Sequence, residues 1–169
     1  MSIPINEAGK LMYIPFRQLF MRKIISAAIA TFFFSIIFAW VEPELFGDSS
    51  MLSIGSRSHE AFRIISVYMM YAAPAIYLYG IATSLISEVI ARAVTQRQWL
   101  QLTVSTILHC GFGLILLHIS LIAAILFLLS DTIISTKWKQ IINVNITLAS
   151  PLLPLFLWLL SVAYINITG

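Results

Sequence analysis

Charged residues are scarce in this 169-residue chain, at 10% against about a quarter in soluble domains. None falls among the 33 positions from Gln98 to Ser130, where only His109 and His118 relieve the apolarity. With 60% hydrophobic residues and a mean hydropathy of +0.95, a water-soluble fold is excluded, because so short a chain cannot hide that much apolar surface. Cysteine is nearly missing as well. Cys110 stands alone, which rules out an internal disulfide and a cysteine-based metal cage and leaves it a small core residue.

Other absences narrow the function. The chain has no internal repeat of about 20 to 50 residues, no low-complexity tract and no connection large enough for a soluble domain. Its net charge of +3 is spread over short loops, so there is no basic block of the kind that binds nucleic acid. No nucleophile with its base, glycine-rich phosphate loop, paired carboxylates or His-Glu-x-x-His motif is visible. No catalytic, cofactor-binding or metal-ligating residue is therefore assigned, and the chain reads as non-enzymatic.

What is present is apolar sequence in four regions, Ile24 to Val41, Ile64 to Ser87, Gln98 to Ser130 and Gln140 to Gly169. The pattern predicts an all-α, polytopic transmembrane helical bundle, with residues 1–169 as a single integral membrane domain. The first region follows Lys10, Arg17, Arg22 and Lys23 as a signal peptide would. It is nevertheless of span length and ends Ala39-Trp40-Val41-Glu42-Pro43, without a small-residue cleavage pattern, and so reads as an uncleaved span. Residues 1–23 then form a cytoplasmic or interfacial N-terminus. Phe16, Leu19 and Phe20 among its basic residues, after Pro15, suggest a short helix lying on the inner leaflet, with a disordered basic tail as the alternative.

The long third region decides the threading. A single helix over Gln98 to Ser130 would reach roughly 50 Å, against a hydrocarbon core of about 30 Å. With four spans and the N-terminus inside, Lys10, Arg17, Arg22, Lys23, Arg92 and Arg97 face the cytoplasm and Arg57, Arg63, Lys137 and Lys139 do not, six against four. If the run is a hairpin, Lys137 and Lys139 return and the ratio becomes eight against two. The positive-inside rule therefore favours five spans, about 24–41, 64–87, 99–117, 119–136 and 143–165, over four with 99–130 as one long span. Against the hairpin, the stretch Gly113 to Ser120 offers no Pro, Asn or Asp to make a turn. Trp40, Trp99, Trp138 and Trp158 each fall near a predicted span end, as interfacial tryptophans do.

Several residues could act inside the bilayer. Gly80 and Ser84 make a small-xxx-small step that admits a second helix closely. Ser87 and Glu88 continue that face to the inner end, where Arg92 stands at the i, i+4 offset that suits an ion pair. The structural reading is a tight helix contact with an interfacial ion pair; the functional one makes Glu88 a proton or cation ligand. Pro74 predicts a kink in the second span, and Pro151 with Pro154 an irregular entry to the last. Thr103, Thr106, His109, Cys110 and Gly113 form a further polar and small face suited to hydrogen bonding between helices. On a continuous helix His109 and His118, nine residues apart, would point in opposite directions and could share no metal. Asp131 ends its apolar run and could meet Lys137 or Lys139 at the inner boundary. Asn145-Ile146-Thr147 and Asn166-Ile167-Thr168 match the glycosylation pattern but lie too close to the membrane to carry weight.

The segments Tyr79-Gly80-Ile81-Ala82-Thr83-Ser84-Leu85-Ile86-Ser87-Glu88, His109-Cys110-Gly111-Phe112-Gly113 and Phe127 to Asp131 are shared in kind with a known group. Over about residues 70 to 135 the chain resembles small, uncharacterised multi-pass membrane proteins of Gram-positive bacteria. That group normally carries a longer, more polar connection between the His-Gly and Asp motifs. The resemblance implies a plasma-membrane location, leans towards the hairpin and contributes no activity. The expected function is that of an accessory, regulatory or immunity-type membrane protein working through helix contacts. Its expected partners are the lipid bilayer and a membrane protein or a second copy, with no nucleic acid and no cofactor. The alternative is a small transporter or channel subunit with Glu88, His109 and Asp131 along a proton or cation path.

Overall fold

A 26-residue helix without proline or glycine, α1 (Phe16–Val41), runs about 39 Å and forms the axis against which most of the other helices pack. The computed structural model describes residues 16–42, 54–115, 118–137 and 142–168, and among these every regular element is helical. α1 takes the centre because its contact faces are small: Ser26, Ala27, Ala28, Ala30, Thr31 and Ser35 all have no exposed surface. Small side chains let neighbouring backbones come close, which matters where lipid removes the hydrophobic drive between helices. In its apolar window 56% of α1 is buried, against 22–28% for the other three candidate spans, so only this helix is largely shielded from its surroundings.

The helix starts at Phe16 without a break before the apolar run. The expected separate helix on the inner leaflet is therefore replaced by an extension of α1, which carries Arg22 and Lys23 into the bundle. The residues before Phe16, Lys10 among them, lie outside the described residues. At its other end α1 stops at Val41, one residue short of the position before Pro43, where helical backbone is disfavoured.

The next stretch is α2 (Ile54–Pro74), a π-helical segment over Ala75–Gly80, and α3 (Ile81–Val94). Pro74 supplies no N–H and its ring crowds the carbonyl one turn back. The ladder answers with a wider turn immediately after Pro74, and the helix continues through the predicted kink. α2 pairs with α1 through Phe34, Phe38 and Tyr68, whose rings meet at 4.5 to 6.2 Å. Arg63 and Glu60, expected in an outward loop, lie on the first turns of α2 and pair at 3.3 Å.

A three-residue connection leads into α4 (Gln98–Ile115), with Gln101 Nε2 donating to the Thr95 carbonyl at 2.7 Å. The charge-free run is then carried by two helices, α4 and α5 (His118–Lys137), packed against each other. Gly113 allows the pairing: a Cβ there would lie 2.8 Å from the Cβ of Ala124 and 3.4 Å from the Leu121 backbone. Tyr79 closes the same region by donating its hydroxyl to the carbonyl of Phe112, in the last turn of α4, at 2.9 Å. The chain ends in α6 (Val144–Ala149), a turn at Ser150 and Pro151, and α7 (Leu152–Thr168), the irregular entry the prolines predict. Ser161 of α7 bonds Ser66 of α2 at 2.8 Å, and the Tyr164 ring lies tilted against Phe62 with centroids 4.5 Å apart.

Among the described residues four helical stretches, Phe16–Val41, Ser58–Val94, Ile119–Lys137 and Val144–Thr168, are long and apolar enough to cross a membrane. Trp40 and Trp99 are exposed near helix ends as expected, but Trp158 sits in the interior of α7, and Trp138 lies outside the described residues.

Candidate functional site: a buried charge cluster

Arg22 and Lys23 are successive residues of α1, about 100° apart on its surface, so together they span the gap between two neighbouring helices. Those neighbours present Glu88 from α3 and Asp131 from α5. Arg22 grips Asp131 with both ends of its fork, Nε to Oδ1 at 2.8 Å and Nη2 to Oδ2 at 3.2 Å, and Nη2 also reaches Glu88 Oε2 at 2.9 Å. Lys23 Nζ lies between the acids, 2.8 Å from Asp131 Oδ2 and 3.0 Å from Glu88 Oε2. Arg92 closes the outer side, its Nη2 donating to Glu88 Oε1 at 2.7 Å. Ser26 Oγ is 2.9 Å from the Arg22 carbonyl and 3.3 Å from Asp131 Oδ1; its single hydrogen goes to the nearer acceptor.

The acids reach α1 because of what flanks them. Ser84 and Ser87 of α3 and Ser130 of α5 are buried, and Ser87 and Ser130 turn their hydroxyls onto their own helices, to the carbonyls of Thr83 and Leu126. These small, internally satisfied residues leave room for the long cationic side chains. Lys23 is 2% exposed and Asp131 8%, so the cluster is shielded, and its attractions are stronger than the same pairs would have in water. Isolated charges in that setting are prohibitively expensive; paired and fully hydrogen-bonded ones are tolerated. The cluster has three cations and two carboxylates, with Arg92 leading to the surface at 32% side-chain exposure.

Asp131 therefore does not meet Lys137, which is exposed; its partners come from α1, and Lys139 lies outside the described residues. Glu88 does pair with Arg92 as its spacing predicts, and gains Arg22 and Lys23 in addition. The two carboxylates, more than 40 positions apart in sequence, form the pair that no local motif announced. No protein-family model, curated protein or solved structure matches the chain.

His109 lies one helical turn deeper. It touches Phe127, one turn before Asp131, with ring centroids 5.4 Å apart, and Thr83, one turn before Ser87, with Nδ1 3.4 Å from Oγ1. The Thr83 hydroxyl hydrogen is directed to the Tyr79 carbonyl at 2.8 Å, so Oγ1 accepts from Nδ1–H and the imidazole is left with a bare Nε2. That nitrogen is buried without a hydrogen-bond partner among the described residues. The predicted inter-helix hydrogen bond is thus present on one side of the ring only.

Gly80 packs at ordinary distance on the Phe127 ring, 3.6 Å from where its Cβ would be, so the close helix approach expected there is found at Gly113 instead. Gly113 is at the far end of the α4–α5 pair and takes no part in the cluster. His118 opens α5, but its side chain is outside the described residues. Among the described residues no three His, Cys, Asp or Glu side chains gather as a metal ion would require.

Sequence reasoning missed Arg22, Lys23 and Ser26, having assigned the first two to topology. A usable signal was present: two acids inside apolar regions with one local cation between them imply further cations from elsewhere in the chain.

Proposed function

We propose that the chain is a plasma-membrane protein that crosses the bilayer five times with its N-terminus in the cytoplasm, and that it acts without catalysis. Its role is that of an accessory, regulatory or immunity-type protein working through helix contacts with a membrane partner or a second copy. One observation carries this reading: the buried charges are spent on one another. Arg22, Lys23, Glu88 and Asp131 fasten α1, α3 and α5, leaving no free nucleophile or base among them. The contact between Asp131 and Arg22 also supports five crossings. It puts the end of α5 beside the start of α1, which an even number of crossings between them allows and a single long third span forbids. In a Cys110→Ala background, a cysteine at position 139 is expected to react with a reagent confined to the cytoplasmic side; labelling from outside would refute the topology. The native mass of the protein in mild detergent is expected to exceed the 18.9 kDa monomer by a whole multiple or a defined partner. A strictly monomeric, partner-free species removes the basis of the accessory role.

A second reading has its own support in His109. Its Nε2, unpartnered among the described residues and one turn below two carboxylates, is what a proton or cation path through Glu88, His109 and Asp131 requires. On that reading, liposomes carrying the protein show a proton or cation flux that Glu88→Gln abolishes. Absence of flux with correctly inserted protein excludes it.

A further inference from the structure

The charge cluster marks a depth in the bundle; Arg92 forms its outer edge, and further cations lie beyond that edge. Arg17 stands five residues before Arg22 on α1, Arg92 four residues after Glu88 on α3, and Lys137 six residues after Asp131 on α5. At 1.5 Å per residue the backbones of these three lie roughly 6–9 Å beyond those of Arg22, Glu88 and Asp131 on separate helices, the Arg92 side chain reaching back to Glu88. Arg97, in the connection between α3 and α4, faces the same end. Arg17, Arg97 and Lys137 are exposed and have no carboxylate within 4.0 Å among the described residues, while Arg92 is held in place by Glu88.

Among the described residues this end of the bundle has no acid left to balance them. Glu88 and Asp131 are engaged by Arg22 and Lys23, Glu42 and Glu60 lie at the opposite end, and Glu7, Glu44 and Asp48 fall outside the described residues. Next to Arg17, Phe16 and Phe20 are 70% and 41% exposed with their rings stacked 6.3 Å apart, an apolar surface directly beside a cation. If the cluster lies at the edge of the hydrocarbon, a layer 6–9 Å farther out coincides with the headgroups, whose zone on each side is roughly 5–8 Å thick.

We propose that Arg17, Arg92, Arg97 and Lys137 form a collar that binds the phosphodiesters of anionic phospholipids in the cytoplasmic leaflet. The guanidinium groups match phosphate oxygens in geometry as well as charge, and the paired phenylalanines seat the acyl-chain side of the lipid. Arg92 is positioned for this by Glu88, with 32% of its side chain exposed. The collar rests on the membrane reading above and needs neither the accessory role nor transport.

The test is the relative association of spin-labelled phosphatidylglycerol and phosphatidylcholine with the full-length protein in phosphatidylcholine vesicles. Several-fold preference for phosphatidylglycerol is expected, since each basic residue near an anionic surface contributes about a fivefold gain. It should weaken in high salt. The combined Arg17→Gln, Arg97→Gln and Lys137→Gln variant is expected to bring the ratio close to one, and Arg63→Gln, at the other end, to leave it unchanged. Equal association of the two lipids with wild-type protein, or a preference that survives the triple substitution, overturns the collar. Displacement of the label by millimolar inorganic phosphate at constant ionic strength assigns the site to free phosphate and overturns the lipid. Failure of the protein to enter vesicles at all refutes the membrane reading, and the collar with it.

Discussion

Asp131→Ala is expected to destabilise the protein by about 3–5 kcal/mol, the range for removing one partner of a buried ion pair. The carboxylate accepts from Arg22 at two atoms and from Lys23 at one, and without it Arg22, Lys23 and Arg92 share Glu88 alone. The 2%-exposed Lys23 cannot swing into water without dragging apolar surface open. Folded domains have only about 5–15 kcal/mol in reserve, so the loss should be plain in denaturant or thermal unfolding in micelles. Arg22→Met combined with Asp131→Leu removes one charge of each sign and is expected to recover most of it, because well-packed apolar replacements of buried ion pairs are often neutral. A loss below about 1 kcal/mol for Asp131→Ala would show that the pairs contribute little, as exposed ones do.

Gly113→Ala should destabilise by about 1–3 kcal/mol, the cost of overpacking a close contact. The added methyl would sit 2.8 Å from the Cβ of Ala124, an atom fixed to its backbone, so α4 and α5 must part or shift. Gly111, two residues away on the same helix, makes the internal control: nothing lies within 4 Å of the place its Cβ would take. There the ordinary helical advantage of alanine, up to about 1 kcal/mol, should show as a small gain. Comparing the two unfolding midpoints separates close approach from helix propensity. Equal effects at both positions would mean that the α4–α5 contact is looser than its geometry implies.

Sequence and structure part company at particular residues. The irregularity at Pro151, the ion pair of Glu88 with Arg92 and the helix-to-helix role of His109 follow from rules of spacing a few residues long, and each has its counterpart in the fold. Gly113 and Gly80 could not be ranked by such rules, because what distinguishes them is the neighbour: a rigid methyl in one case and the face of a phenyl ring in the other. The position of Trp158 in its apolar region suggests an interface, yet in the fold it lies inside α7 (Leu152–Thr168) rather than at either end. The cluster was the hardest feature to foresee. The bonds of Arg22 and Lys23 to the two acids join positions 65 to 109 residues apart, and a helix-by-helix reading treats Arg22 and Lys23 as the flank of a span.

Composition alone determined that the fold is helical and suited to a bilayer, because apolar residues at this density can satisfy their backbone only within helices or closed barrels, and the runs are of helix length. It also determined which residues are out of place there: two acids, a histidine and a handful of glycines. Tertiary structure decided what those residues do. Whether Asp131 meets Lys137 or Arg22 depends on the path of the chain through the charge-free run, and no residue within that run encodes its turn as proline or asparagine would. The contacts of α1 and α4 with their neighbours are set by small residues that let helices close on each other, and by charges that must be paired once they are buried. Both are properties of surfaces in contact, to which distant parts of the chain contribute equally.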